Sequence, residues 1–210
     1  KILTSLPESI KISINKFETF LFAKKNSINV ADKTENVPAF VRMNVSRGSK
    51  GAAKIIDQSE LDLIDKNKYI IQDLLEGQEY TVDCLCDMNG IPKVIVPRER
   101  VSAANVSLIG KVCMDNEIIN FCKSILAKIK FFGPINIQVM KFESKLFLIE
   151  INPRLAGTSI LTINAGADVL VDGIELFLGN DHITPKYVIK DGLMKIYRML
   201  MEHGAKLFIK

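Results

Sequence analysis

The sequence has no tryptophan, two histidines, four cysteines and few aromatic residues, 7% of its 210 positions. Each shortage removes a class of explanation. With no tryptophan and so few rings, a platform for stacking nucleic-acid bases is not expected. His182 and His203 are isolated from one another, which argues against a histidine-rich metal site and against a serine or cysteine nucleophile activated by histidine. Cys84 and Cys86 stand in an apolar, strand-like run, and Cys113 and Cys122 form no second pair at zinc-ligand spacing. Buried, reduced thiols are expected, which favours a reducing cytoplasm. No apolar run reaches 18 residues, so no membrane span is expected. No signal peptide is visible, but the sequence opens at Lys1 without a methionine, which leaves room for an N-terminal part before it.

What is present is ordinary in bulk. Hydrophobic residues make up 48% and charged residues 25%, and the length suffices for a core that needs no disulfide or structural metal. The net charge of +4 suits a phosphate-bearing ligand but is not the concentrated basic face of a nucleic-acid binder. There are no repeats and no low-complexity segments.

Ile10, Ile14, Phe17, Leu21 and Phe22 recur at helical spacing and predict one helix over 9–26. Strands are predicted over 38–45, 52–56, 69–75, 79–87 and 91–97, with the Asn89-Gly90 hairpin signal joining the last two. A short helix is predicted over 60–64. A polar stretch, 98–110, leads to a long helix over 115–130 with Asp115 as its N-cap. A second hairpin, 135–142 with 146–151, precedes short helices at 160–164 and 169–178. Hairpin strands with segregated helices predict an α+β fold with antiparallel sheets.

The second hairpin carries the clearest chemistry. A three-residue turn at Glu143-Ser144-Lys145 sets Phe142 opposite Leu146, Gln138 opposite Glu150 and Asn136 opposite Asn152. These four polar residues would share one face, because side chains alternate with period two. Ile135, Ile137, Val139, Phe147, Ile149 and Ile151 would form the core face. An acid with amides on a central strand is costly unless something binds there, and such oxygen donors suit Mg²⁺. The other reading is an amphipathic hairpin with a solvated polar face.

Ser46-Arg47-Gly48-Ser49-Lys50-Gly51 is a glycine-containing turn between two strands, with Arg42 ahead of it. Glycines let backbone N–H groups approach phosphate oxygens. The spacing is not that of a P-loop, and an ordinary basic hairpin turn is the competing reading.

These segments occur in an order that resembles the ATP-grasp superfamily, and within it the ATP-grasp domain of the carbamoyl-phosphate synthetase large chain and its stand-alone relatives. The resemblance runs from about Asn15 to Gly179. It is carried by Asn15-Lys16, by Ala39 through Gly51, by Ile71 through Asp83, by Asn136-Ile137-Gln138 and by the E-x-N-P-R of Glu150 to Arg154. It implies a fold of two lobes whose antiparallel sheets grip a nucleotide. The divisions read from it are an N-terminal helical segment (1–30), a small lid lobe with the glycine turn (31–71) and a large lobe with the metal-binding hairpin (72–210).

The resemblance also implies roles. Lys16 and Arg42 would contact ATP phosphates, and Ser46, Gly48, Ser49 and Gly51 would form a phosphate lid. Gln72, Asp73 and Leu74 would read the adenine edge, and Glu79 would bind the ribose. Gln138, Glu150 and Asn152 would hold Mg²⁺ or Mn²⁺, and Arg154, with Arg42, would steady the transferred phosphoryl. Arg98 and Arg100 are candidates for clamping a substrate carboxylate, or else solvated surface arginines; Asp83 is a polar strand residue that could also lie near substrate. Arg42-Met43 stands where relatives usually carry Lys-Pro, and the turn is poorer in glycine than usual.

The activity implied is an ATP-dependent carboxylate–amine ligase that makes an acyl phosphate. The alternatives are a subunit like the carbamoyl-phosphate synthetase large chain and a decayed nucleotide-binding module. Small-molecule acid and amine substrates are the expected partners, with no nucleic acid or membrane. A homo-oligomer, or a domain preceding Lys1, would complete the assembly.

Overall fold

The computed structural model describes residues 4–46, 50–101, 109–180, 189 and 192–195. Arg47, Gly48 and Ser49 of the turn, and both histidines, lie outside the described residues. The elements are α1 (Pro7–Ile14), α2 (Lys16–Lys25), β1 (Ala39–Met43), β2 (Ala52–Ile55), α3 (Gln58–Asp62), β3 (Tyr69–Asp73), β4 (Gln78–Cys86) and β5 (Pro92–Arg100). They continue as β6 (Ile109–Val112), α4 (Asn116–Leu126), β7 (Gly133–Phe142), β8 (Lys145–Asn152), α5 (Ile160–Asn164), α6 (Val169–Leu178) and β9 (Gly192–Lys195). Helices and antiparallel sheets coexist, as the sequence predicts. A small sheet is ordered β2-β1-β3 and a large one β8-β7-β4-β5-β6-β9. Among the described residues no helix is long and apolar enough to cross a membrane.

The predicted N-terminal helix is two helices. Asn15 has extended backbone, φ −110° and ψ 114°, and its side chain caps α2 by accepting from the N–H groups of Phe17 and Glu18. A short polar side chain that satisfies two free amides favours a fresh N-terminus over a continued helix. The break sets Lys16 at the first position of α2, where its own N–H bonds Asn44 O at 2.8 Å.

The 98–110 stretch is not a loop throughout. β5 runs on to Arg100, and Gly110 lies in β6, paired with Arg100. Arg98 and Arg100 are strand residues whose ladder partners override their polarity. The long helix keeps the predicted Asp115 cap but ends at Leu126. Its Ile118, Cys122, Ile125 and Leu126 follow helical spacing and are buried against the large sheet.

The large sheet has two unlike faces. Val82, Cys84 and Cys86 of β4, with Ile135, Ile137 and Val139 of β7, are buried with α2 and α4. On the opposite face Leu85, Val94, Val96 and Val112 form an apolar cluster with α6. Farther along that second face the residues turn polar. Asp83, Asn136 and Arg98 are buried there, whereas Glu79, Gln138, Glu150 and Asn152 are only half-buried.

The β7–β8 hairpin reaches the predicted pairing by another route. Glu143 and Ser144 alone form the turn, both at positive φ (47° and 62°), as a twisted two-residue hairpin requires. Phe142 therefore faces Lys145, and a β-bulge between Gln138 and Val139 of the ladder absorbs one extra residue of β8, Ile149. Beyond it Gln138 faces Glu150 and Asn136 faces Asn152. The bulge also corrects the core face: Leu146 and Leu148 are buried with Ile151, while Phe147 and Ile149 are half-buried.

Candidate functional site

The site is assembled from the small sheet, the start of α2 and the polar face of the large sheet. Arg42, on β1, is 7% exposed. Its Nη2 donates to Gln72 Oε1 at 2.5 Å, and Gln72 Nε2 donates in turn to Ala31 O at 2.7 Å. Its Nη1 crosses to the large sheet and donates to Ile149 O at 2.9 Å. A bulged residue leaves the regular ladder, so its carbonyl can be given to a side chain. Arg42 Nε is buried and has no partner among the described residues. Burial lowers the guanidinium pKa, opposed by the charges of Glu150 and Glu79.

Lys16 Nζ donates to Ser46 Oγ at 3.0 Å. Its pKa is lowered chiefly by burial and also by Arg42, while Glu150 pulls it back up. Lys16, Arg42 and Glu150 thus feel one another's charge. Two cations from the small sheet and α2 stand by one carboxylate of the large sheet.

Glu150 Oε1 accepts from Asn152 Nδ2 at 2.7 Å, and Gln138 lies across the strand from Glu150. Arg154 is exposed, with Nη1 on Leu155 O at 2.9 Å and Nη2 at 3.5 Å from Asn152 Oδ1. Asn136 turns away from this group to Asp83, 3.3 Å from its Oδ1. No group of three His, Cys, Asp or Glu able to hold a metal occurs among the described residues. One carboxylate with two amide oxygens is a hard but sparse donor set, which fits an ion that keeps waters and ligand phosphates in its shell, such as Mg²⁺. The orphaned Arg42 Nε is a buried donor awaiting an acceptor, which fits an anionic group beside that ion.

The remaining predicted residues are divided between the small sheet, the large sheet and the link that joins them. Asp73 ends β3 exposed, its N–H bonded to Asp32 O at 2.8 Å, and Leu74 is half-buried. Gln72 is buried, its side chain engaged with Arg42 and Ala31, which leaves it a framing role for its amide. Gly51 takes positive φ (70°) as it enters β2, and its carbonyl accepts from Met43 N at 3.0 Å. Glu79 is ion-paired with Arg100. Arg98 is not solvated: it is 2% exposed, and its Nη2 lies 2.9 Å from Asp83 Oδ2. Residues 74–77 join the sheets, and there Gly77 is indispensable for space, since a Cβ would lie 2.2 Å from Lys141 O.

Sequence reasoning missed Thr158, Ser159 and Thr162, whose hydroxyls converge on the Asp83–Arg98 pair. The available signal was Asp83 itself, an acid inside the apolar run from Val82 to Cys86.

A family model described as "ATP-grasp in the biosynthetic pathway with Ter operon" matches residues 65–196, more than half of the chain. The chain belongs to the ATP-grasp family. Among curated proteins, the ATP-grasp chain is 28% identical over 138 residues to the carbamoyl phosphate synthase large chain of Clostridium perfringens (strain SM101 / Type A). That match covers 58% of this chain and only 13% of the relative. Among solved structures, the ADP complex of purK, N5-carboxyaminoimidazole ribonucleotide synthetase, superposes with a TM-score of 0.78 at 14% identity, covering 95% of this chain and 62% of that one. Biotin carboxylase of Campylobacter jejuni, solved with β,γ-ATP, gives 0.71 at 11% identity, covering 83% and 48%. At such identities the likeness is one of fold. The two-lobed α+β architecture expected from the sequence is the ATP-grasp architecture.

Proposed function

We propose that this ATP-grasp chain binds Mg-ATP between its two sheets and phosphorylates a carboxylate or bicarbonate, so that an amine or ammonia can displace the phosphate. The observation that carries the reading is the grouping of Glu150, Asn152 and Gln138 on one sheet face with Lys16 and Arg42 within electrostatic reach. Phosphoryl transfer needs positioning and charge neutralisation more than covalent help from the protein. Gln138, Glu150 and Asn152 would hold the metal, which supplies charge neutralisation at the phosphates when bound. Lys16 and Arg42 would place positive charge at the phosphates, and Arg154, on its exposed loop, would steady the transferred phosphoryl or the acyl phosphate. Gln72, Asp73 and Leu74 would face the base, and Glu79 the ribose. Ser46 to Gly51 would close over the phosphates and keep water from the acyl phosphate.

Mg-ATP calorimetry on the wild-type chain and on Glu150→Ala tests this. Mg²⁺-dependent micromolar binding that weakens at least about tenfold in the variant is the expected result, since the main charged metal ligand is gone. Unaltered binding in Glu150→Ala would remove the site from this hairpin. The synthase relatives favour a second reading, in which the chain works as part of a larger bicarbonate- and ammonia-using enzyme. Turnover with those two substrates, and none with other acids and amines, would select it. Binding without turnover on any of them would select a non-catalytic module.

A further inference from the structure

We propose that Asp83 and Arg98 are positioning residues that fix the loop bearing Arg154, an inference that rests on the reading of Arg154 as part of the proposed site. Both are 2% exposed, and among the described residues their side-chain hydrogen bonds go to each other, Thr158, Ser159, Thr162 and Asn136 rather than to Gln138, Glu150 or Asn152. Asp83 Oδ2 receives Arg98 Nε at 3.1 Å and Thr162 Oγ1 at 2.5 Å, and Arg98 Nη2 lies 2.9 Å from it as an ion-pair contact without hydrogen-bond geometry. Its Oδ1 receives Ser159 Oγ at 3.2 Å and Asn136 Nδ2 at 3.3 Å. Arg98 Nη1 donates to Thr158 Oγ1 at 2.9 Å. One ion pair thus gathers three hydroxyls from 158–162 and one amide from β7.

The chain between Asn152 and that anchor is the 153–157 loop. At one end it is held by the ladder, Asn136 opposite Asn152, and at the other by Asp83 and Arg98. Among the described residues the Arg154 side chain makes only its bond to Leu155 O and the long contact to Asn152 Oδ1, so its placement depends on the loop backbone and its ends. A buried ion pair is a poor way to gain stability, because desolvation offsets most of the attraction. On the same face Leu85, Val94 and Val96 show that apolar side chains can be buried there. The polar cluster appears where the loop must be gripped by its hydroxyl-bearing end.

The test uses two variants that keep the fold by different means. Thr158→Val/Thr162→Val leaves the ion pair intact. Asp83→Leu/Arg98→Met replaces the pair by apolar groups, a change that buried pairs often tolerate. Hydrogen exchange is read at the amides of Arg154 and Ser159, which bond Asn152 O and Ala156 O. In both variants these amides should exchange roughly fivefold faster or more, the effect of losing about one hydrogen bond's worth of local protection, while β4 and β7 amides keep their wild-type rates. With turnover in hand, kcat falls and the KM for ATP does not. Wild-type exchange at the loop in both variants overturns the proposal, as does faster exchange that appears only in step with the strands. If the wild-type chain fails to bind Mg-ATP, the proposed function falls, and the exchange result still decides whether the pair holds the loop.

Discussion

Arg42 and Ile149 are bonded from one sheet to the other, guanidinium Nη1 to carbonyl oxygen at 2.9 Å. The arginine belongs to the central strand of the small sheet and the carbonyl to the bulge of an edge strand of the large one. Replacing Arg42 by methionine keeps the stem but strands Gln72 Oε1 and Ile149 O. The expected cost is about 1–3 kcal/mol of stability, read from denaturant melts, together with weaker Mg-ATP binding. Full stability in the variant would show that the bond is incidental.

Lys16 gives a pH signature. Its pKa lies below 10.5, first because of burial and second because Arg42 repels it, with Glu150 opposing both. A base whose folded pKa is depressed binds its proton less well in the folded state than in the unfolded one. Its burial cost is therefore fully present at neutral pH and is relieved as pH rises from the folded pKa toward 10.5. Phosphate binding by the ammonium runs the other way and is lost through that same window. Nucleotide affinity should decline at a pH below that of an ordinary lysine, and Glu150→Gln should move the decline lower still. An NMR titration of the Lys16 ammonium locates it directly; a pKa at or above the ordinary lysine value would contradict the geometry.

Gly77→Ala puts a methyl group into the backbone of β7, 2.2 Å from Lys141 O. Backbone cannot yield as a side chain does, so the start of β4 must shift. A loss of about 1–3 kcal/mol is expected, with broadened exchange through 74–79. Thermal melts and exchange together check it, and an unchanged melting temperature would mean that the crossing is looser than it looks.

Glu143→Asn/Ser144→Gly should raise stability by a few tenths to about 1 kcal/mol, because both turn residues sit at positive φ and Asn-Gly is the preferred pair for such a turn. Calorimetric melting measures it. A destabilised double variant would assign the turn side chains a contact that outweighs the strain.

The pairing of Gln138 with Glu150 and of Asn136 with Asn152 could be read from residue types, but it survives the two-residue turn only because the bulge at Ile149 restores the face that the turn alone would have reversed. The turn itself was hidden, because Glu143 and Ser144 lack the glycine that marks positive φ, and the bulge leaves no signature beyond an odd residue count. The helix break at Asn15 was legible in principle, as an asparagine before Lys16-Phe17-Glu18, but the unbroken apolar periodicity masked it. Arg98 shows the other limit. Whether an arginine is solvated, clamps a substrate or is buried on an acid depends on Asp83 from the neighbouring strand and on hydroxyls 60 or more positions further on in sequence. Those contacts are tertiary, and no local pattern reports them.

The bulge at Ile149 also makes that residue supernumerary to its own hairpin. A β8 shorter by that one position would continue the two-residue turn as a regular ladder, with Glu150 still across from Gln138 and Leu148 still inward. Deleting Ile149 should therefore spare the polar rank and the fold of the hairpin. What it would take away is the carbonyl that Arg42 grips, so the extra residue serves the joint between the sheets, and a one-codon deletion would separate the two jobs that β8 performs.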